Sequence, residues 1–491
     1  MKVIVYTILL FFGLTGCRDF LEEVSQDEVK PSQVTDLEQI LLGEAYLNEN
    51  ANIYSLTDIF TDDVQCNGIQ DVAVLEEFES KQFMFTWDRN MFAEAGGGND
   101  LRFWSVPYKG VRACNVVLDY LDRVSGDESL RESVRGEALV LRSWYYMMLV
   151  NFFGQPYNAG DAEKNLGVPL KLNSDVTDEL FPRNTVAEVY AQVEQDLLEG
   201  NRLLSLYDTK TSYFRVGHLA AKAILSRMYL YMEDWDKALL YADSVLQANS
   251  KLLDFNTRLS TAVTTHVYSA VTPDEIIWTR KYAGIRPTGV VAMGKYPYSL
   301  STEISTLYDV KSADYQSKKC KDLRALYYLR WEMDVTAMLT TGEMYYPLLV
   351  AKDRDYGAYH GIRTAELYLN RAEAYVRKYL ETNTEDFRVK ALEDLNHLRR
   401  HRLNATYGFV EADYKGEELL TFCLEERRRE LCGETNHRWC DLRRNGMPEF
   451  VHNFFRYLGE VPREFTMRQS FYALPIPEET LRLNPSLQQN L

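Results

Sequence analysis

Apolar residues return every three to four positions through three long stretches of this chain, and residues that start or stop helices bracket each stretch. The first stretch runs from about Leu37 to Phe153. Its clearest part, Gly136 to Tyr146, is a helix with one apolar face, and Phe153-Gly154-Gln155-Pro156 ends it with a Gly/Pro terminator. The second opens at Pro182-Arg183-Asn184-Thr185, where Asn184 or Thr185 can cap a helix carrying Tyr190, Val193, Leu197 and Leu198. Gly217 to Met232 then places Ala220, Ala223, Ile224, Leu225 and Tyr229 on a packing face. After Glu233-Asp234 a partner helix starts at Trp235 and carries Ala238, Ala242, Val245 and Leu246. The third stretch predicts helices over Leu367 to Tyr379 and Ala391 to Leu403. Small residues at crossings with a large aromatic at the turn describe tetratricopeptide-like helix pairs, here degenerate and too widely spaced for a regular solenoid. Ala220 and Ala238 are expected where two helices cross closely.

From about residue 251 to 359 that periodicity fails. Gly, Pro, Thr and Ser are frequent, and Ile276-Ile277-Trp278 reads as a short strand. A long irregular segment in a compact protein usually carries function. The fold class is therefore mainly α. A helix-pair scaffold covers approximately 32–250 and 360–491, a loop-rich, short-strand region covers 251–359, and the two form one domain over 32–491.

The N-terminus adds a compartment. Met1-Lys2 precedes an apolar run from Val3 to Leu14, too short for a bilayer span of about 20 residues. Residues 1–16 read as a signal peptide. Leu14-Thr15-Gly16-Cys17 matches the lipobox of bacterial lipoproteins, which makes Cys17 the lipidation site; an ordinary secretory signal with a chance Cys is the alternative. Residues 17–31 carry Asp19, Glu22, Glu23, Asp27 and Glu28 and form an acidic, flexible tether. The net charge of −17 argues against nucleic acid as a partner. The 33 Tyr offer flat faces with polar edges suited to sugar or peptide surfaces, although most should pack between helices. Six Cys remain beyond Cys17. Cys423 and Cys432 sit nine residues apart on an expected helix, roughly 13 Å along its axis, whereas a disulfide needs Cα atoms within about 7 Å. Most of the six are expected to be buried free thiols.

Motifs for covalent or metal chemistry are missing. Gly96-Gly97-Gly98 lacks the Lys of a phosphate loop, and neither Gly-x-Ser-x-Gly nor His-Glu-x-x-His occurs. His397 and His401 could share a helix face but lack a third ligand and sit beside Arg399, Arg400 and Arg402. No metal, no cofactor and no catalytic residue is expected, and no spacing nominates a glycosidase carboxylate pair. In Glu425-Glu426-Arg427-Arg428-Arg429-Glu430, Glu425 can pair with Arg429 at i,i+4. Acids and bases nearly balance there, so an ion-pair network locking this helix to the His437–Arg444 turn is expected, rather than an anion site.

These residues also carry a family resemblance. Cys17 with Asp19-Phe20-Leu21, Trp104 with Tyr108 and Ala113-Cys114-Asn115, and Gly136-Glu137-Ala138 with Leu141-Arg142 follow in order. Ile362-Arg363-Thr364-Ala365-Glu366 through Arg371-Ala372-Glu373-Ala374 comes next, then Glu426-Arg427-Arg428-Arg429-Glu430-Leu431, His437-Arg438-Trp439 and Asp441-Leu442-Arg443-Arg444. Leu474-Pro475-Ile476-Pro477 and Asn484-Pro485 close the series. In this order they resemble the SusD/RagB family of surface nutrient-binding lipoproteins. The resemblance implies an oligosaccharide binder, lipid-anchored in the outer membrane and facing the cell exterior. It would deliver ligand to a SusC-like TonB-dependent transporter without catalysis. A peptide ligand, as the RagB branch implies, is the alternative, and an exported glycoside hydrolase is a further one. The regions that form the family's binding face correspond here to Trp87, Arg89, Asn90, Trp278, Tyr282, Tyr296, Tyr298 and Trp331. Trp87 stands first among them because its neighbours Thr86, Asp88, Arg89 and Asn90 are polar, which favours a surface position.

Overall fold

Eleven helices longer than six residues organise the described part of the chain: α1 Val34–Ile40, α2 Leu75–Phe85, α3 Arg102–Tyr120, α4 Glu128–Phe153, α5 Val186–Tyr207, α6 His218–Met232, α7 Trp235–Ala248, α8 Thr364–Thr382, α9 Glu385–Arg400, α10 Gly416–Leu431 and α11 His437–Arg444. The computed structural model describes residues 30–46, 57–69, 72–92, 102–208, 212–258, 273–279, 296–331, 339, 347–350, 352, 361–434, 436–457 and 459–490. Cys17 and Tyr282 lie outside the described residues. The long helices pack in chain order: α3 on α4, α4 on α5, α5 on α6 and α6 on α7. Helix α7 then packs on α8, which also receives α9 and α10.

Local chemistry explains most of the boundaries. Asp127 caps α4 by accepting from the Leu130 amide, and Gly154 ends it. Thr185 and Glu188 form a reciprocal capping box at the start of α5. Glu233 turns left-handed after α6, and the Asp234 side chain caps α7. Helix α9 differs from expectation, starting at Glu385 and ending at Arg400. Its first turn, Glu385 to Arg388, carries a lone apolar residue, Phe387, while the carbonyls of His401 and Arg402 beyond its end accept the amides of Phe255 and Leu323.

Close crossings use small residues. A Cβ on Gly200 of α5 would lie 2.7 Å from Val140 Cγ2 and 3.1 Å from the Gly136 carbonyl oxygen, so glycine lets α4 and α5 touch. Ala220 and Ala238 are buried, and the Ser226 hydroxyl of α6 donates to the Ala238 carbonyl of α7 at 3.1 Å.

Short strands decorate this scaffold: β1 Val64–Cys66, β2 Ile276–Thr279, β3 Tyr298–Leu300, β4 Leu329–Trp331, β5 Leu348–Val350, β6 Gly361–Arg363, β7 Phe450–Phe454 and β8 Arg463–Met467. They form an antiparallel sheet in the order β1-β3-β5-β4 and two antiparallel two-stranded pairs, β2-β6 and β7-β8. Strand β2 occupies the Ile276-Ile277-Trp278 run read from sequence. Cys66, Cys114, Cys320, Cys423, Cys432 and Cys440 are all buried and outside any disulfide. Among the described residues no helix is long and apolar enough to cross a membrane.

Candidate ligand-binding face

Among the described residues, most of those that carry the family resemblance are turned inward. Arg142 clamps Asp196 with two hydrogen bonds, at 2.7 and 2.8 Å, and also donates to Asn115 at 2.9 Å. Arg227 grips Glu366 at 2.6 and 2.7 Å, and Arg444 grips Glu373 with both terminal nitrogens. The run from Glu425 to Glu430 forms the expected lock. Glu425 pairs with Arg429 at 2.9 Å, and buried Glu430 meets Arg324, Arg363 and Arg402. Burial alone would raise the Glu430 pKa; the three guanidiniums hold it well below the ordinary carboxylate range. Arg427 joins Asp441 at 2.9 Å and so ties α10 to α11. Such fully paired groups hold a fold in register and leave little free charge for a ligand.

A different surface has the chemistry of ligand contact. Alternation along the four-stranded sheet separates two faces. Val64, Cys66, Tyr298, Leu300, Leu329, Trp331, Leu348 and Val350 share one face, and several of them pack into the apolar interior. Gln65, Ser299, Arg330 and Leu349 share the other. On that second face the Asn67 amide donates to the Tyr296 carbonyl at 2.9 Å, and Gln65 donates to Asn67 at 3.3 Å. The Ser299 hydroxyl reaches Asn67 Oδ1 at 3.4 Å, and Arg330 donates to the Tyr296 hydroxyl at 3.3 Å. Gln65, Tyr296 and Arg330 remain half-exposed. One ring with a fixed hydroxyl, a carboxamide and a guanidinium form an array of donors and acceptors of the kind sugar hydroxyls match.

The other sequence-derived candidates are placed differently. Trp87 is a correction: it is buried at 2 % exposure, not at the surface. Its indole N–H donates to the Phe60 carbonyl at 3.1 Å, and its ring stacks on His452 at 4.3 Å. The physical reason is a left-handed turn at Trp87, φ 52°, that folds the ring under the C-terminal hairpin while its polar neighbours face outward. Arg89 and Asn90 are exposed in that turn. Trp278 is buried at 1 % exposure and meets Trp144 edge-on at 5.0 Å. Tyr298 is half-buried, stacked on Phe78 at 5.8 Å, with its hydroxyl donating to the Phe78 carbonyl; burial pushes that phenol pKa up. Trp331 is half-buried against Tyr315, ring centroids 5.0 Å apart. Of the seven ligand candidates among the described residues, the structure sets Tyr296 alone within the polar array. Sequence reading missed Gln65, Asn67, Ser299 and Arg330, because the array exists only once β1, β3 and β4 come together. Among the described residues no group of three or more His, Cys, Asp or Glu is placed to hold a metal ion.

Comparison with known proteins identifies the family. A SusD-like family model described as "Starch-binding associating with outer membrane" matches residues 19–230, and the SusD family model matches residues 350–491. A SusD superfamily protein from Bacteroides vulgatus superposes with a TM-score of 0.69 at 22 % identity, covering 94 % of this chain and 99 % of its own. Surface glycan-binding protein A from Bacteroides uniformis gives 0.65 at 21 % identity, covering 93 % and 99 %. A laminarin-binding SusD-like protein gives 0.64 at 21 % identity, covering 94 % and 99 %. None of the curated proteins matches the sequence. Both matching models are SusD-like, so the chain is a SusD-like family member, and its fold is the mainly helical, tetratricopeptide-like one of the SusD superfamily.

Proposed function

We propose that this chain is a cell-surface glycan-binding lipoprotein that captures oligosaccharides and passes them, without catalysis, to a SusC-like TonB-dependent transporter. Residues 1–16 are removed, Cys17 carries lipid, residues 17–31 form the tether, and the domain over 32–491 faces the exterior. The observation that carries the reading is the polar array of Gln65, Asn67, Ser299, Tyr296 and Arg330, held on a sheet by backbone pairing and so fixed before ligand arrives. Two proteins of this fold, a laminarin-binding one and a surface glycan-binding one, support the same ligand class. Calorimetry with laminarin, starch and a panel of further polysaccharides tests it. For the glycan that binds, Tyr296→Ala should weaken affinity about thirty-fold, the loss of an aromatic anchor of roughly 2 kcal/mol. Arg330→Ala should weaken it too, with an unchanged circular dichroism spectrum. Unaltered affinity in both variants would place the ligand elsewhere.

A further inference from the structure

The scaffold also holds a cleft, remote in sequence from the sheet face. With a volume of about 710 Å³, it opens between α8, α9 and the extended segment 411–413. Its walls are fixed by internal bonds. The Asn396 side chain pairs with the Ala412 backbone in both directions, at 2.9 and 3.0 Å. Arg371 is held by Asp394 through two bonds of 2.7 and 2.8 Å and by Asp243 at 2.7 Å. Arg388 fastens Asp413 at 2.6 Å, and Arg400 pairs with Glu411. The guanidiniums and most carboxylates of the lining are thereby spent on each other.

What remains available is an imidazole, a carboxylate and an apolar wall. His397 is half-buried in the lining, its ring 5.0 Å from Tyr368 and 4.8 Å from His401. Neither His397 ring nitrogen is hydrogen-bonded to another described residue, whereas His401 directs its Nδ1 to the His397 carbonyl. Burial, helped by His401, Arg400 and Arg371, pushes the His397 pKa down, so the imidazole is neutral at physiological pH and offers one donor and one acceptor. Glu393 stands exposed one helical turn earlier. Leu392 and the 41 % exposed Val389 supply an apolar wall. A hydroxyl donates and accepts at once and so matches an imidazole–carboxylate pair. Four acidic side chains against two Arg in the lining disfavour an anion.

We propose that the α8–α9 cleft is a second binding site for a neutral oligosaccharide, separate from the sheet face and contacted through His397 and Glu393. The ligand class rests on the glycan-binding reading above; the location does not. The chain has seven His, so the imidazole Cε1–H resonances of the purified protein can be followed individually, with His397 assigned by its loss in His397→Ala. The probes are maltotriose, laminaritriose, cellotriose and mannotriose, with trigalacturonate and a trilysine peptide as charged counterparts. One neutral trisaccharide should shift the His397 resonance saturably, and should still do so in the Tyr296→Ala/Arg330→Ala protein. His397→Ala should weaken that binding about ten-fold, the loss of one good hydrogen bond, read from the Tyr368 ring resonances, and His397→Gln should restore part of it. If neutral sugars bind at the sheet face and leave His397 unmoved, the second site is overturned while the family function stands. If only trigalacturonate or trilysine moves His397, the neutral-ligand assignment is overturned. If no sugar binds at either place, the glycan reading itself fails.

Discussion

Replacing Trp87 separates a core residue from a ligand platform. In the structure this side chain is buried, stacks on His452 at 4.3 Å, and meets Phe450 edge-on at 5.4 Å. Its N–H satisfies the Phe60 carbonyl. Trp87→Ala removes all of these contacts, and emptying a buried aromatic site costs roughly 3–5 kcal/mol. Trp87→Phe keeps much of the ring but leaves the Phe60 oxygen without its donor, at roughly 1–3 kcal/mol. The Ala variant should therefore unfold at clearly lower urea concentration than wild type, with the Phe variant between the two. Far-UV circular dichroism is the suitable signal, because the substitution itself alters fluorescence. Glycan affinity measured below the transition should be unchanged in Trp87→Phe. A wild-type unfolding midpoint in Trp87→Ala, coupled to weakened glycan binding, would refute the packing account and return Trp87 to the surface.

Other outcomes follow from the same contacts. Gly200→Ala pushes a Cβ to 2.7 Å from Val140 and should lower thermal stability by separating α4 from α5; an unchanged melting temperature would mean the two helices are not so close. Ala238→Leu should cost about 1–3 kcal/mol by overpacking α6 against α7, read by urea titration. Burial would raise the Glu373 pKa, but Arg444 pulls it down to about 2. Its pairing therefore contributes full stability above the unfolded carboxylate pKa of about 4.3 and loses it as pH falls toward 2; Glu373→Gln should flatten that acid limb of the stability profile. Cys17→Ala should release the protein from the membrane fraction when no transporter is present, and retention there would sink the lipid anchor.

Much of the scaffold is legible from the chain because its signals are local. Gly154 after Phe153, Thr185 with Glu188, and Asp234 before Trp235 each act within one helical turn. The Glu425–Arg429 pair is likewise an i,i+4 contact. The first turn of α9 is harder to read, since no side chain caps it and Phe387 is its one apolar residue. The candidate face is harder still. Tyr296 is recognisable as an aromatic in an irregular segment, but Gln65 and Arg330, the latter 34 residues away, join its array only through strand pairing. Trp87 misleads for the converse reason. Its sequence neighbours are polar, yet its partner His452 comes from a distant hairpin and turns the ring inward.

The most direct measurement incubates the purified protein with laminarin, starch and further polysaccharides, recording bound glycan by calorimetry and new reducing ends in the same samples. At least one glycan should bind saturably to wild type, bind about thirty-fold more weakly to Tyr296→Ala, and be recovered at its original length. New reducing ends that accumulate with time, or a peptide library that binds where every glycan fails, would contradict the account.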